Sequence, residues 1–172
     1  VFSALGAKAK YSTKFKDGEF GGTLHYAQSD EEDGRPDGKM FEATLFAKMN
    51  GYTGTLGYVQ TGKKNGWGSF NIAGDQIVPF EEGDAMYEKD VKTFYGMLST
   101  DIQKVNITAL YGTTDFTSRA TNKEGTQDEI SIWASYPFTK SLSATLIYDR
   151  TFGGSSIIPT VEQFGVLLVY KF

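Results

Sequence analysis

The chain has no cysteine, which excludes disulfide staples and thiolate metal sites. No run approaches the roughly 18 apolar residues of a membrane-spanning helix, and mean hydropathy is negative, at -0.33. A helical membrane protein is therefore excluded. A membrane barrel is not, because its strands are apolar on one face only. Basic charge is scattered: 17 Lys and Arg stand against 21 Asp and Glu, for a net charge of -4. That leaves no footprint for a nucleic-acid partner. His25 is the only histidine, and no Ser/His/Asp set, metal-spaced cluster or phosphate-cradling loop accompanies it. GKKNGWG, residues 62–68, lacks the strand–loop–helix setting of a nucleotide motif. Neither an enzyme nor a cofactor or metal is expected. No segment has a helical period.

What the chain has is 20 Gly, 10 Tyr and 13 Phe in 172 residues, the composition of a β-rich chain with many turns. A single all-β domain over 1–172 is expected, folded as an antiparallel meander of nine strands. The alternation is clean in places. Phe41, Ala43, Leu45, Ala47 and Met49 oppose Glu42, Thr44, Phe46 and Lys48, and Tyr52, Gly54, Leu56 and Tyr58 oppose Thr53, Thr55 and Gly57. Asn50-Gly51 between them is the strongest short hairpin signal, and Asp17-Gly18 is a second one. Near residues 91–100 the facing is ambiguous, with Tyr95 and Met97 on one side and Phe94 and Leu98 on the other.

Connections alternate in length. Short ones fall at 14–18, 50–51, 101–104 and 137–141, and long polar ones at 29–39, 61–90, 113–127 and 151–162. In a meander this puts tight turns at one end and long loops at the other, as in outer-membrane barrels. The aromatics add a second regularity. Phe20 and Tyr26 flank Gly22 and Leu24, Tyr52 and Tyr58 flank Gly54 and Leu56, and Tyr111, Tyr136 and Tyr148 also sit near strand ends. A sandwich core places its largest side chains centrally. Aromatics at both ends of a small aliphatic band match two interfacial girdles.

The terminal stretch QFGVLLVYKF carries Phe164, Val166, Leu168, Tyr170 and Phe172 on one face. It resembles the C-terminal signal of outer-membrane β-barrel proteins, with Gln163, Gly165, Leu168, Tyr170 and Phe172 as the assembly signal. That resemblance implies recognition by the barrel-assembly machinery and contact with outer-membrane lipid. With the C-terminus periplasmic, the long loops are extracellular. Nine strands do not close as the usual even-numbered barrel. Either further N-terminal strands of the same barrel belong before Val1, where no leader stands, or strands two to nine close as an eight-stranded barrel.

Opposite the apolar face lie Lys8, Lys10, His25, Glu42, Lys48 and Asp149, the candidate pore lining, with Lys171 beyond them. His25 there reads as a polar wall residue beside Thr23. Glu81, Glu82 and Asp84 in the longest connection are candidate constriction residues. That loop is either solvated outside or folded toward the basic wall, as general porins fold theirs to make a transverse field.

The strand grammar and terminal signal resemble Gram-negative porins over essentially the whole chain. The acidic loop leading into an aromatic strand, IVPFEEGDAMYEKDVKTFYGML (77–98), with the closing VLLVYKF, resembles the C-terminal half of OprD-like and Campylobacter-type major outer-membrane porins. The resemblance implies a water-filled transmembrane β-barrel of about sixteen to eighteen strands, often a homotrimer, passing small hydrophilic solutes and ions by passive diffusion. The alternative is a small eight-stranded barrel acting as an anchor or adhesive surface protein. A soluble ligand-binding barrel is a third reading.

Overall fold

A strand whose side chains alternate in polarity can bury or wet each face separately, and nine such segments pair here. The computed structural model describes residues 3–30, 37–67, 78–83, 85–153 and 160–171. Its strands are β1 (Ser3–Phe15), β2 (Gly18–Asp30), β3 (Gly38–Met49), β4 (Tyr52–Thr61), β5 (Lys89–Ile102), β6 (Val105–Thr117), β7 (Glu124–Pro137), β8 (Leu142–Phe152) and β9 (Glu162–Tyr170). They form one up-and-down antiparallel sheet in chain order.

The tight turns follow their local chemistry. Asn50 and Gly51 both take positive φ, 53° and 82°, as the two-residue hairpin turn that matches strand twist requires. Gln103 takes φ 57° between β5 and β6. The first turn sits at Lys16-Asp17 rather than at Asp17-Gly18, because Gly18 already pairs with Phe15.

The register settles the faces. Phe94 and Leu98 join the exposed apolar face, 58% and 55% exposed, while Tyr95 is buried on the other side. Leu45, Leu56, Leu146 and Leu168 are all more than half exposed on that outer face. So broad an exposed apolar surface demands an apolar neighbour. Its loop-side border is drawn by tyrosines that donate their hydroxyls to a polar rim: Tyr26 to Gln28 (3.2 Å), Tyr58 to Gln60 (2.9 Å) and Tyr148 to Glu162 (3.1 Å). Next to the border, Tyr58 meets Phe94 at 4.5 Å and Tyr148 meets Phe164 at 4.8 Å between ring centres. At the turn end Phe15 and Phe20 lie 6.3 Å apart, and Tyr136 and Phe138 5.0 Å apart.

Two sequence expectations need correction. Residues 113–127 are not mostly loop: β6 and β7 stay paired out to Thr117 and Glu124. Polar cross-strand bonds such as Thr126 to Asp115 (2.7 Å) keep the hairpin together where the apolar alternation stops. Strands two to nine do not close on themselves either. β1 pairs with β2 from Ser3 to Phe15, and among the described residues β9 pairs only with β8.

Candidate functional site

The inner face is defined by what the register brings together. Lys8 stands opposite His25, and His25 opposite Glu42. His25 Nδ1 and Glu42 Oε2 are 3.0 Å apart, with both side chains buried. The two residues are thus one unit, a pairing that sequence reasoning left as separate wall positions. Lys10 is opposite Thr23, one row nearer the turns. Lys48 lies opposite Glu19 at the turn end, away from the loop. Asp149 is 1% exposed and sits between Ser131 and Gln163 on neighbouring strands.

The long connection between β4 and β5 lies against this face. Its stem is fixed where the strands part: Gly62 N–H donates to Lys39 O (3.0 Å), Asp90 N–H to Gly62 O (3.0 Å) and Val91 N–H to the Thr61 hydroxyl (3.0 Å). Asp90 takes the left-handed φ of 47° at a bulge in the β5–β6 ladder. Within the loop, Trp67 N–H donates to Met86 O at 2.7 Å. The Glu88 carboxylate reaches out to accept Arg119 N–H, and Arg119 Nη1 donates to Tyr87 O at 3.2 Å.

The tip is held by one carboxylate. Glu129, fully buried on β7, accepts the backbone N–H of Glu81 (2.7 Å), of Glu82 (3.1 Å) and of Gly83, and also the Ser131 hydroxyl (2.7 Å). Consecutive amides wrapped on an anion form a nest, and each such charge-assisted bond is stronger than a neutral one. A Cβ on Gly83 would stand 2.8 Å from Glu129 Oε2, so the close approach requires glycine. The two loop carboxylates then find donors on the wall: Trp133 Nε1 donates to Glu81 (2.7 Å) and Gln163 Nε2 to Glu82 (2.7 Å).

Apolar packing does the rest. Val78, Phe80, Ala85 and Met86 of the loop join Met40, Val59, Val91, Tyr95 and Leu110 of the wall in a buried cluster. Phe80 and Tyr95 meet edge-on at 6.4 Å. Both rings lie over strand glycines: a Cβ on Gly112 would be 2.3 Å from Phe80, and one on Gly57 2.0 Å from Tyr95.

Of the candidate residues, Glu81, Glu82, Asp149 and Gln163 are therefore gathered at one place, while Lys48 is remote from it. On β9, Leu168 and Tyr170 face outward and exposed, and Gly165 faces inward with Gln163. Asp84 and Phe172 lie outside the described residues. Sequence reasoning missed Glu129, which fell between a polar stretch and the first apolar residue of its strand. Extending the inward phase of Ser131 and Trp133 by two residues would have found it.

No family model matches the chain, and no curated protein is similar to it in sequence. Solved structures are similar in fold. OccK10 (OpdN) of Pseudomonas aeruginosa superposes with a TM-score of 0.84 at 14% identity, over 99% of this chain and 52% of its own. The outer membrane protein OpdK from Pseudomonas aeruginosa gives 0.81 at 17%, over 99% and 50%. OccK2 (OpdF) of Pseudomonas aeruginosa, in complex with glucuronate, gives 0.80 at 13%, over 99% and 50%. The chain spans about half the length of each. With its exposed apolar outer face and loop-bearing inner face, it has the fold of one half of the OprD/Occ-type outer-membrane porins.

Proposed function

We propose that this chain forms the loop-bearing half of an outer-membrane porin that passes small hydrophilic solutes and ions by passive diffusion, without turnover. The observation that carries this reading is the docking of Glu81, Glu82 and Gly83 on the buried carboxylate of Glu129. A surface protein that served only as an anchor would need no loop laid along its inner wall. A passive channel gains from one, since a fixed loop narrows the lumen and sets the charge seen at the narrowest point.

In this reading Lys8 and Lys10 line the pore, His25, Glu42 and Asp149 are buried in the wall behind its surface, and Glu81 and Glu82 flank its constriction. Lys48 belongs to the vestibule at the short turns. The long loops are extracellular and the C-terminus periplasmic, where β9 serves the barrel-assembly machinery. The outer edges of β1 and β9 carry unpaired ladders among the described residues, and unpaired backbone groups in lipid cost several kcal/mol each. Further strands of the same barrel meet those edges, and the finished barrels associate as homotrimers.

Reconstitution of the full barrel into planar bilayers tests the reading. Stable single-channel steps in KCl are expected. A barrel that inserts and gives no steps, or a chain soluble without detergent, would overturn it.

A further inference from the structure

The apolar outer band ends differently at its two borders. At the loop end, tyrosine hydroxyls donate to Gln28, Gln60 and Glu162. At the turn end, three of the four tips carry lysine. Lys16 lies between the paired Phe15 and Gly18, Lys104 between the paired Ile102 and Val105, and Lys140 between the paired Pro137 and Ser143. All three are exposed. Among the described residues none of them is ion-paired or hydrogen-bonded through its side chain. The nearby acids are turned elsewhere. Asp101 accepts the Asn106 amide at 2.8 Å, Glu19 faces inward between Lys14 and Lys48 of the neighbouring strands, and Asp17 is exposed to solvent.

Each of these lysines has an apolar companion within two residues in sequence. Phe15, Ile102 and Phe138 are 48%, 56% and 58% exposed and continue the outer face. Phe15 lies against Phe20, and Phe138 against Tyr136, at the edge of the band. A lysine stem can keep such apolar contact while its ammonium reaches into a polar layer. A soluble anionic partner would use the ammonium and leave the apolar companion wet. A phospholipid surface uses both, with acyl chains against the ring and phosphate against the ammonium. The Asn50-Gly51 turn has the apolar half alone, in exposed Met49.

Resting on the porin reading above, we propose that Lys16, Lys104 and Lys140 form a docking surface for the headgroups of anionic phospholipids in the leaflet at the turn end. Phe15, Ile102 and Phe138 seat in the acyl layer beneath those headgroups. The loop-end border, built from tyrosine hydroxyls and their acceptors, does not share the preference.

The test uses the full barrel in phosphatidylcholine vesicles, with spin-labelled phosphatidylglycerol as the probe and spin-labelled phosphatidylcholine as the reference. KCl steps in planar bilayers decide the porin reading by themselves, before any labelled lipid is used. The parent should hold phosphatidylglycerol over phosphatidylcholine at its surface by about fivefold at low salt. Most of that preference should vanish at about 1 M KCl, where exposed charges are screened. Lys16→Gln, Lys104→Gln and Lys140→Gln combined should cut it about threefold or more. Each single substitution should fall between, which keeps the test valid should the triple variant assemble poorly. Lys123→Gln, at an exposed lysine of the loop end, should leave the preference unchanged. Equal preference in parent and triple variant, or displacement of the labelled lipid by inorganic phosphate at constant ionic strength, would overturn the surface. A parent that shows no lipid preference but binds soluble polyglutamate through these lysines has an acidic polymer as its partner, and the lipid surface is then also overturned. Lysine-dependent preference in a barrel that gives no KCl steps would keep this surface and sink the channel.

Discussion

The ring of Phe80 fills the space over Gly112, where a Cβ would stand 2.3 Å from it. A glycine in mid-strand costs strand propensity, and here the vacancy seats a loop residue whose own side chain is 2% exposed. Gly112→Val should therefore unseat Phe80 and lift the loop, while the ladder around it stays paired. Overpacking of this kind costs about 1–3 kcal/mol. Limited proteolysis should cut within residues 62–88 in the variant under conditions where the parent resists.

Glu129 is expected to be the residue on which loop position depends most. Glu129→Ala removes the acceptor of three backbone amides and one hydroxyl, each bond to a charged group being worth about 1.5–3 kcal/mol net. Larger and noisier single-channel conductance should follow, with the barrel still inserted. Conductance equal to the parent's would show that the apolar packing alone holds the loop.

The buried pair His25 and Glu42 should couple energetically. Replacing either by Ala leaves the other polar group buried without its partner, at a cost of about 1–3 kcal/mol. The double variant should cost less than the sum of the two. Urea unfolding in detergent micelles, taken as a double-mutant cycle, measures that difference.

Adjacent positions on β3 should answer oppositely to charge. Leu45→Lys places an ammonium on the outer apolar band and should destabilise the protein by about 2–4 kcal/mol in lipid vesicles. Thr44→Lys, one residue away and on the other face, should fold normally and raise anion permeability. Equal effects at both positions would contradict the assignment of the faces.

The sheet was legible because alternating polarity marks both faces of a strand at once. Phe41 to Met49 announces its faces residue by residue, and Asn50-Gly51 fixes the register of the hairpin that follows. The strand extensions beyond the apolar band were not legible. Between Thr113 and Gln127 the pairing is held by polar side chains and backbone alone, and nothing in residue type separates such a ladder from a loop. The site was half visible. Glu81, Glu82 and Asp149 stood out as charge, but their meeting depends on how residues 78–88 fold back across five strands. Phe94 against Tyr95 shows the same limit: both faces of β5 carry aromatics, one on the exposed apolar face and one under the loop, so polarity could not choose between them.

The number of strands carries a directional consequence. In an up-and-down sheet of nine, the first and last strands run the same way. Two copies set side by side about an axis along the strands would bring β9 of one against β1 of the other with both chains pointing in the same direction. Such a pair cannot complete an all-antiparallel wall. Turning one copy over restores the alternation but sends its long loops to the opposite end of the strands. A segment that paired antiparallel with both edges at once would need an odd number of strands, its outermost members running counter to β1 and β9, and a twin of this chain in the same orientation would not meet that condition.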